Sequence, residues 1–321
     1  MTGADGFIGS HVAQGFAERG YDVQALCLYN SFGSHGWLDS TPHGLRGRID
    51  AHLGDIRDPG LMSDISRGVD LIVHLAALIA IPYSYQAPSS FIETNVNGTL
   101  NVLEAARRGG VTKVIVTSTS EVYGTPHTVP ITETHPLQAQ SPYAASKVAA
   151  DQLAMSYAAS FGLNVAILRP FNTYGPRQSM RAVIPTVLTQ MIAGVPQIRL
   201  GSLHPRRDFT YVADTVDGFL RLAEASTAPG AVLQLGTGEA VSIGELVELA
   251  REITGSTATI VTEEERVRPE PSEVQVLLSD PSRAAAELGW RPTVTLRDGL
   301  TRTADWLREH PVTADVQRYH R

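Results

Sequence analysis

The residues best suited to acid–base chemistry are Tyr143 and Lys147, four positions apart in the segment SPYAASK (141–147). Residues at this spacing share one face of a helix. The lysine ammonium can then lower the pKa of the phenol, so that the phenolate can take a proton from a hydroxyl group near neutral pH. One segment upstream, Thr119-Ser120-Glu121 adds a carboxylate for a second proton transfer. A solvated surface pair would show the same spacing, so other motifs must decide.

A second motif lies at the start of the chain. The segment TGADGFIG (2–9) has glycines at its first, fourth and seventh turn positions, Gly3, Gly6 and Gly9, and runs into a helix through Phe7 and Ile8. Glycines let the backbone approach a pyrophosphate closely, and the helix N-terminus then meets the negative charge with its amides and dipole. A glycine turn, a TSE segment and a Tyr/Lys pair in this order predict hydride transfer with a bound dinucleotide.

The elements that position these motifs alternate between short apolar runs and longer amphipathic stretches. This alternation predicts an α/β fold with a doubly wound parallel sheet, that is a Rossmann fold, followed by a smaller C-terminal α/β domain. The predicted strands are 23–28, 71–75, 114–117 and 165–168. The predicted helices are 10–19, 91–108, 143–161, 182–193, 215–225, 243–254 and 296–309.

The first strand of this fold is short of residues. A glycine turn of this kind follows a strand of about five or six residues, yet only Met1 and Thr2 precede Gly3. The sequence therefore predicts that the first strand is truncated and that the natural chain carries an apolar strand before Thr2.

Composition narrows the class of protein. Of 321 residues, 26 are Lys or Arg and 33 are Asp or Glu, and the net charge of −7 argues against a general nucleic-acid binder. Cys27 is the only cysteine, which excludes an intrachain disulfide and favours a reducing compartment. No signal segment and no run long enough to span a bilayer is evident, so we expect a cytoplasmic protein without a membrane partner. No cluster has metal-ligand spacing, and no metal is predicted.

Four segments together resemble the extended short-chain dehydrogenase/reductases that act on nucleotide sugars. They are the glycine turn, TSEVYG (119–124), the Tyr143/Lys147 pair and RPFNTYGP (169–176). YNSFGSHGWLD (29–39) and GPRQSMRAVIP (175–185) are similar to the nucleotide-N-acetylglucosamine 4,6-dehydratases of the legionaminic-acid type. The resemblance covers nearly the whole chain. It implies a cofactor domain over 1–168, rejoined by about 208–237, a substrate domain over 169–311, and a tail over 312–321. Residues from about 311 to 321 have too little apolar content to pack strongly, so we expect them to fray.

In a 4,6-dehydratase the C4 hydroxyl is first oxidised, and the resulting ketone acidifies the C5 hydrogen so that water can leave from C6. The resemblance implies that Tyr143 removes the hydroxyl proton, Thr119 bonds the C4 oxygen and Glu121 removes the C5 proton. Glucose-type enzymes carry an Asp where this chain has Ser120; the TSE form resembles the GDP-mannose dehydratases and the UDP-glucuronate decarboxylases. The acid at C6 is therefore left open between Glu121 and Ser120.

The resemblance also implies the binding residues. Cys27 stands where NAD-preferring relatives often have an acidic ribose ligand, and no arginine follows it to bind the 2′-phosphate of NADP. NAD is favoured, and NADP is left open. The implied cofactor ligands, besides Tyr143 and Lys147, are Gly3, Gly6, Phe7, Ile8, Gly9, Asn30, Ser31, Asp55, Ile56, Leu75, Ala76, Ala77 and Thr117. The implied ligands of the nucleotide diphosphate sugar are Asn172, Arg181, Val183, Arg207, Arg268 and Glu273.

The helices 91–108 and 143–161 carry more apolar residues than one sheet-facing stripe requires, including Val148, Leu153, Tyr157 and Phe161. Relatives commonly pair these helices across a twofold axis, which implies a homodimer.

Three functions remain open at this stage. The first is the 4,6-dehydratase. The second is a 4-epimerase, which needs no C5 base, or a UDP-glucuronate decarboxylase, which needs an arginine for the sugar carboxylate that the sequence does not locate. The third is a dinucleotide-sensing protein without catalysis, against which the retained Tyr/Lys pair argues.

Overall fold

The protein is built on a parallel sheet with helices on both faces. The computed structural model describes residues 1–312 and 315–319. Its strands are β1 (Val23–Leu28), β2 (Ile49–Gly54), β3 (Leu71–His74), β4 (Lys113–Thr117), β5 (Val165–Pro170), β6 (Gln197–Leu200), β7 (Arg206–Arg207), β8 (Ala231–Leu235), β9 (Val241–Ser242), β10 (Thr259–Thr262) and β11 (Val276–Leu277). Its α-helices are α1 (Phe7–Glu18), α2 (Pro59–Ile65), α3 (Ile81–Ser84), α4 (Pro88–Phe91), α5 (Gly98–Gly109), α6 (Pro142–Phe161), α7 (Val183–Ile192), α8 (Val212–Glu224), α9 (Ile243–Thr254), α10 (Ser282–Leu288) and α11 (Leu296–Glu309).

The first two residues lie between the two parts of the main sheet. Strand β2 pairs with β1, and β3, β4, β5 and β8 pair in that order, all parallel. Thr2 forms parallel bridges to both Leu26 and His74. Its amide donates to the Val73 carbonyl at 3.0 Å, and its carbonyl accepts from the Leu75 amide at 3.2 Å. Thr2 thus joins β1 to β3 and directs the chain into the glycine turn at the carboxyl ends of the strands.

Successive side chains along the central strands pack into two different apolar cores, one on each face of the sheet. Ile115 and Leu168 pack into the core under α1 and α8, together with Phe219. Their sequence neighbours Val116 and Ile167 pack into the opposite core, under α2, α5 and α6. A strand sends successive side chains to opposite faces, so fully buried strands need apolar residues at nearly every position. The doubly wound fold predicted from the sequence is confirmed.

The C-terminal region has its own core. Helices α7, α9 and α11 pack together through Leu188, Val247 and Leu300, next to the parallel pair β6 and β10. Strand β7 pairs with both β9 and β11. Helix α8 and strand β8 lie on the main sheet instead, since β8 pairs with β5 and Phe219 of α8 joins the first core. The predicted domain boundaries remain a proposal.

Two strands of the main sheet, β2 and β8, escaped prediction for identifiable reasons. Strand β2 is an edge strand whose IDAHLG sequence is largely half-buried, so it lacks a long apolar run. Strand β8 contains Gln234, whose buried side chain donates to the carbonyls of Ile131 and Asp280 at 2.5 and 2.9 Å. The predicted helix 91–108 is divided into α4, a π-helical turn (Ile92–Asn97) and α5. Such turns often lie at functional sites.

No helix in residues 1–312 and 315–319 is both long and apolar enough to cross a bilayer.

Candidate active site

The glycine turn has the tight packing that its sequence predicts. Gly3 has a φ of +68°, and a Cβ there would lie 2.6 Å from the Ala76 amide nitrogen. A Cβ on Gly9 would lie 1.9 Å from the Gly3 carbonyl oxygen. Gly6 precedes α1 without any side-chain cap. The first amides of α1, at Phe7 and Ile8, are therefore presented to a ligand rather than to a capping side chain.

The loop after β3 passes directly beside this turn. The Ala76 amide donates to the Thr2 hydroxyl at 3.2 Å, which brings Leu75 and Ala76 next to Gly3. Below them, His74 is enclosed between the hydroxyls of Thr2 and Thr99 at 2.7 and 3.0 Å. Burial lowers the pKa of His74 to about 3, so it is a neutral packed residue.

Two of the residues predicted to contact the adenosine, Asn30 and Asp55, bond neighbouring protein groups. Asn30 organises its own loop: its amide nitrogen donates to the carbonyls of Leu28 and Ser34, and its amide oxygen accepts from the amides of Phe32 and Ser34. This leaves Ser31 the freer of the predicted ribose contacts. Asp55 binds Arg57 at 2.6 Å, and Ile56 is buried against Gly98. Contacts of Asn30, Ser31, Asp55 and Ile56 with the ribose and adenine remain predictions. The cofactor contact predicted for Ala77 also remains a prediction.

Helix α6 begins where the sequence requires it to. The Ser141 hydroxyl accepts from the Ala144 amide at 3.1 Å, and Pro142 occupies the first helical position. Tyr143 and Lys147 then follow on one face, buried at 7% and 4% exposure. The Lys147 ammonium donates to the Thr117 carbonyl at 2.7 Å, which fixes the lysine at the end of β4.

A polar clip holds the start of α6 against the π-helical turn. The Asn95 amide nitrogen donates to the hydroxyl of Ser146 at 2.9 Å, and that hydroxyl donates to the Tyr143 carbonyl at 2.7 Å. Asn95 also binds both backbone groups of Leu78, at 2.8 and 2.9 Å. From the π-helical turn, the Asn95 side chain thus bonds three polar groups on two other segments, close to Tyr143.

The expected lowering of the Tyr143 pKa by Lys147 is wrong for the chain by itself. Burial raises the pKa of the phenol, the Glu121 carboxylate raises it further, and the hydrogen bond with Thr119 opposes both. Burial also lowers the pKa of Lys147, opposed by Asp151. Desolvation by burial is the largest cause of the pKa shift of both groups. The phenol is consequently protonated at neutral pH until a further positive charge adjoins it.

Glu121 faces the substrate side of the site, whereas Ser120 does not. Thr119 caps a 3₁₀ turn (Ser120–Tyr123), and its hydroxyl accepts from the Glu121 amide at 3.2 Å. The turn directs Glu121 into a cavity of about 310 Å³, a size suited to a small-molecule ligand. Ser120 is 2% exposed and is not part of the cavity wall. Glu121, and not Ser120, therefore lies in the cavity wall.

Behind the catalytic residues lies a buried charged pair, Asp151 and Arg169. The guanidinium donates to one carboxylate oxygen at 2.9 and 3.1 Å, and both side chains are at most 3% exposed. The same oxygen accepts from the Ser118 hydroxyl at 2.9 Å, and Arg169 also donates to the Tyr123 hydroxyl at 2.9 Å. The pair links α6 to the ends of β4 and β5.

The cavity brings together every residue predicted to bind substrate. Its wall includes Glu121 and the predicted set Asn172, Arg181, Val183, Arg207, Arg268 and Glu273. Their elements differ: Asn172 follows β5, Arg181 and Val183 lie at the start of α7, Arg207 is in β7, and Arg268 and Glu273 flank a 3₁₀ turn. Asn172 has a φ of +25°, and its amide donates to the Asp208 carbonyl at 2.9 Å. It thus positions the strand that carries Arg207.

Charge alternates across this cavity. The buried Arg207 donates to Glu273 at 2.8 Å. A guanidinium nitrogen of Arg268, Nη1, lies 3.7 Å from Glu273 and 3.9 Å from Glu121. Within the described part of the chain, this buried nitrogen has no hydrogen-bond partner. Two arginines, one with an unused donor, suit an anionic ligand with several oxygens.

The structure adds wall residues that sequence reasoning missed, including Gln178, Met180, Phe209, Arg266 and Tyr319. The only sequence signal for Arg266 is its position two residues before Arg268, and it lies in a 3₁₀ turn (Glu264–Arg266). Tyr319 had none, and the expectation that the tail frays is wrong for residues 315–319, which pack on Arg266. Residues 313, 314, 320 and 321 lie outside the described residues.

No group of three or more His, Cys, Asp or Glu side chains could hold a metal ion in the portion of the chain that the structure covers. The groups that would hold NAD fit it chemically. The uncapped N-terminus of α1 suits the pyrophosphate, and the glycines permit its close approach. Among the described residues, the buried Thr117 hydroxyl has no hydrogen-bond partner.

Comparison with known proteins agrees with this geometry. The family model described as GDP-mannose 4,6 dehydratase matches residues 1–303. A dTDP-glucose 4,6-dehydratase of Actinoplanes sp. is 33% identical, over 96% of this chain and 97% of its own. A UDP-glucose 4-epimerase of Thermotoga maritima, solved with UDP-glucose, is 30% identical with a TM-score of 0.87, covering 96% and 98% of the two chains. DesIV, the dTDP-glucose 4,6-dehydratase of Streptomyces venezuelae solved with NAD, is 32% identical with a TM-score of 0.85, covering 96% of each.

The match spans nearly the whole chain and includes the glycine turn, the TSE segment and the Tyr/Lys pair. The chain therefore belongs to the GDP-mannose 4,6-dehydratase family, and it is an NAD-dependent enzyme of the extended short-chain dehydrogenase/reductase class, related to nucleotide-sugar dehydratases and epimerases.

Proposed function

We propose that the protein is a nucleotide-sugar 4,6-dehydratase, acting on UDP-N-acetylglucosamine or a related nucleotide hexose. The observation that carries the proposal is the position of Glu121. Its carboxylate lines the sugar cavity, and its amide is bonded to Thr119, the residue that hydrogen-bonds Tyr143. A dehydratase needs a base at C5 beside the residues that oxidise C4. A 4-epimerase has no use for one.

The residues divide the reaction as follows. The glycine turn and the N-terminus of α1 would hold NAD, which when bound would supply reversible hydride transfer and, in its oxidised form, a positive charge that favours the Tyr143 phenolate. Tyr143 removes the C4 hydroxyl proton while Thr119 bonds the same oxygen. Glu121 then removes the proton from C5, and the C6 hydroxyl leaves as water with a proton that Glu121 can supply. Solvent-derived hydrogen enters at C5 of the 4-keto-6-deoxy product.

The choice of sugar rests on two segments. YNSFGSHGWLD (29–39) and GPRQSMRAVIP (175–185) resemble dehydratases of N-acetylglucosamine nucleotides. The second segment contributes Arg181 and Val183 to the cavity wall. The first folds against the C-terminal region, where the Trp37 ring meets that of Trp306 edge-on at 5.6 Å.

One observation favours a second candidate, a UDP-glucuronate decarboxylase. That reaction requires an arginine near the sugar carboxylate, and Arg268 extends an unpartnered nitrogen to within 3.9 Å of Glu121. The same nitrogen would bind a phosphate oxygen in the dehydratase. Reaction products must separate these two uses.

The test is incubation with UDP-N-acetylglucosamine, UDP-glucose and UDP-glucuronate, followed by mass spectrometry. Loss of water from the first substrate supports the proposal, and deuterium placed at C4 should then appear in the C6 methyl group. Loss of carbon dioxide from UDP-glucuronate would contradict the dehydratase proposal and support the decarboxylase. An unchanged mass with inversion at C4, observed by NMR, would contradict the dehydratase proposal and support a 4-epimerase.

We also propose a homodimer through α5 and α6, which the exposed apolar residues of these helices support. Of the surplus apolar residues expected from the sequence, Phe161 is 55% exposed, whereas Tyr157 is buried and bonds Glu104 at 2.7 Å. Leu100 and Met155 extend the exposed face at 36% and 39%. We expect light scattering to give twice the 34.5 kDa chain mass, and Met155→Glu to lower it while Val129→Glu, at an exposed loop residue, does not. A monomer mass at micromolar concentration would reject the dimer.

A further inference from the structure

The C-terminal segment Asp315–Tyr319 returns to the substrate cavity. The Arg266 guanidinium donates to the Gln317 carbonyl at 2.7 Å, and the Gln317 amide donates to the Gln197 carbonyl of β6 at 2.9 Å. The Tyr319 ring lies over the same guanidinium, 5.0 Å from its central carbon. These contacts place a C-terminal aromatic ring in the wall of the cavity that contains Glu121.

Arg266 is itself held rigidly. Its side chain is 8% exposed, and its Nε donates to Glu263 at 2.6 Å. Gly201, at the end of β6, packs on its backbone so closely that a Cβ there would lie 2.5 Å from the Arg266 carbonyl oxygen. Gly201, Arg266 and Tyr319 all line the cavity, and the guanidinium is stacked over the aromatic ring.

The order of groups along the cavity assigns these residues to one end of the ligand. Arg268 lies 3.9 Å from Glu121, and Arg266 precedes Arg268 by two residues, as the last residue of a 3₁₀ turn (Glu264–Arg266). A nucleotide sugar arranges hexose, diphosphate, ribose and base in a line. With the hexose at Glu121 and the diphosphate at Arg207 and Arg268, the base extends toward Arg266 and Tyr319.

We propose that Tyr319, supported by Arg266, is the stacking platform for the nucleobase, so that the C-terminal segment completes the substrate site. The assignment rests on the proposed nucleotide-sugar substrate. Guanidinium and aromatic planes both stack on bases, and aromatic stacking tolerates any base. Tyr319 thereby adds affinity for the nucleotide, while Glu121 and Tyr143 act on the hexose.

The test measures binding of UDP and of inorganic pyrophosphate by calorimetry to the full chain saturated with NAD. Tyr319→Ala should weaken UDP binding by about 5- to 150-fold, the range expected for loss of one base–aromatic stack. Tyr319→Phe should stay within about twofold because it retains the ring. Pyrophosphate binding should not change in either variant. Tyr21→Ala, at a partly exposed tyrosine that packs on Phe16, is the control.

The outcomes separate the two proposals. If the wild-type protein binds UDP and Tyr319→Ala binds it within about twofold as tightly, the platform is wrong and the proposed function stands. Equal weakening of UDP and pyrophosphate also overturns the platform, because the segment would then act through Arg268. If the wild-type protein binds none of UDP, dTDP, GDP and ADP, the nucleotide-sugar function fails, and the platform with it.

Discussion

Tyr143→Phe is expected to lower turnover by about 10²- to 10⁴-fold, the usual contribution of a general base. The substitution removes the hydroxyl that bonds Thr119 but keeps the buried ring, which packs edge-on against Phe91 at 6.2 Å. NAD affinity should persist, because the glycine turn and the N-terminus of α1 are untouched. Steady-state kinetics and NAD titration of the same preparation measure both effects.

A matched control lies on the same helix. Tyr157→Phe also removes one hydroxyl, the one that bonds Glu104, far from the cavity wall. It should retain near-normal turnover. A loss of only twofold in Tyr143→Phe would remove this residue from the base role.

Glu121→Gln should stop the reaction after oxidation at C4. The amide keeps the size of the side chain but cannot accept the C5 proton, so dehydration should fall by about 10²- to 10⁴-fold. Tyr143 and Lys147 are unchanged, and oxidation of C4 should continue. We therefore expect absorbance from reduced nicotinamide to build up with substrate, and no deuterium at C5 in deuterated solvent.

The wild-type enzyme supplies the contrast, since it should incorporate solvent deuterium at C5 of its product. Glu18→Gln, an exposed glutamate on α1, serves as the charge-matched control and should behave as wild type. An epimerase would show neither the build-up nor the exchange. Near-normal dehydration by Glu121→Gln would show that another group is the C5 base.

The catalytic helix was predictable because its signals are local. Ser141 and Pro142 mark its first turn, Gly162 follows its last, and the four-residue spacing of Tyr143 and Lys147 sets their common face. The substrate contacts of Arg207, Arg268 and Glu273 were predicted only from the resemblance to relatives. A single sequence contains no signal that β7 lies beside the segment after β10.

Other features depend on contacts that sequence alone does not reveal. The division of 91–108 by a π-helical turn follows from Asn95 reaching Leu78 and Ser146, two segments distant in sequence. The Tyr143 pKa is governed by burial, which the spacing of Tyr and Lys does not report. Tyr319 reaches the cavity only because Arg266 and Gln197 bind the backbone and side chain of Gln317.

The buried pair of Asp151 and Arg169 restricts how this chain can change over evolutionary time. Loss of either partner alone would leave an unpaired charge in the interior, at a cost of about 3–5 kcal/mol, whereas joint replacement by apolar residues is often close to neutral. That cost is comparable with the whole stability margin of many proteins. Single substitutions at either position are therefore blocked, and the two positions should vary together among descendants of this sequence.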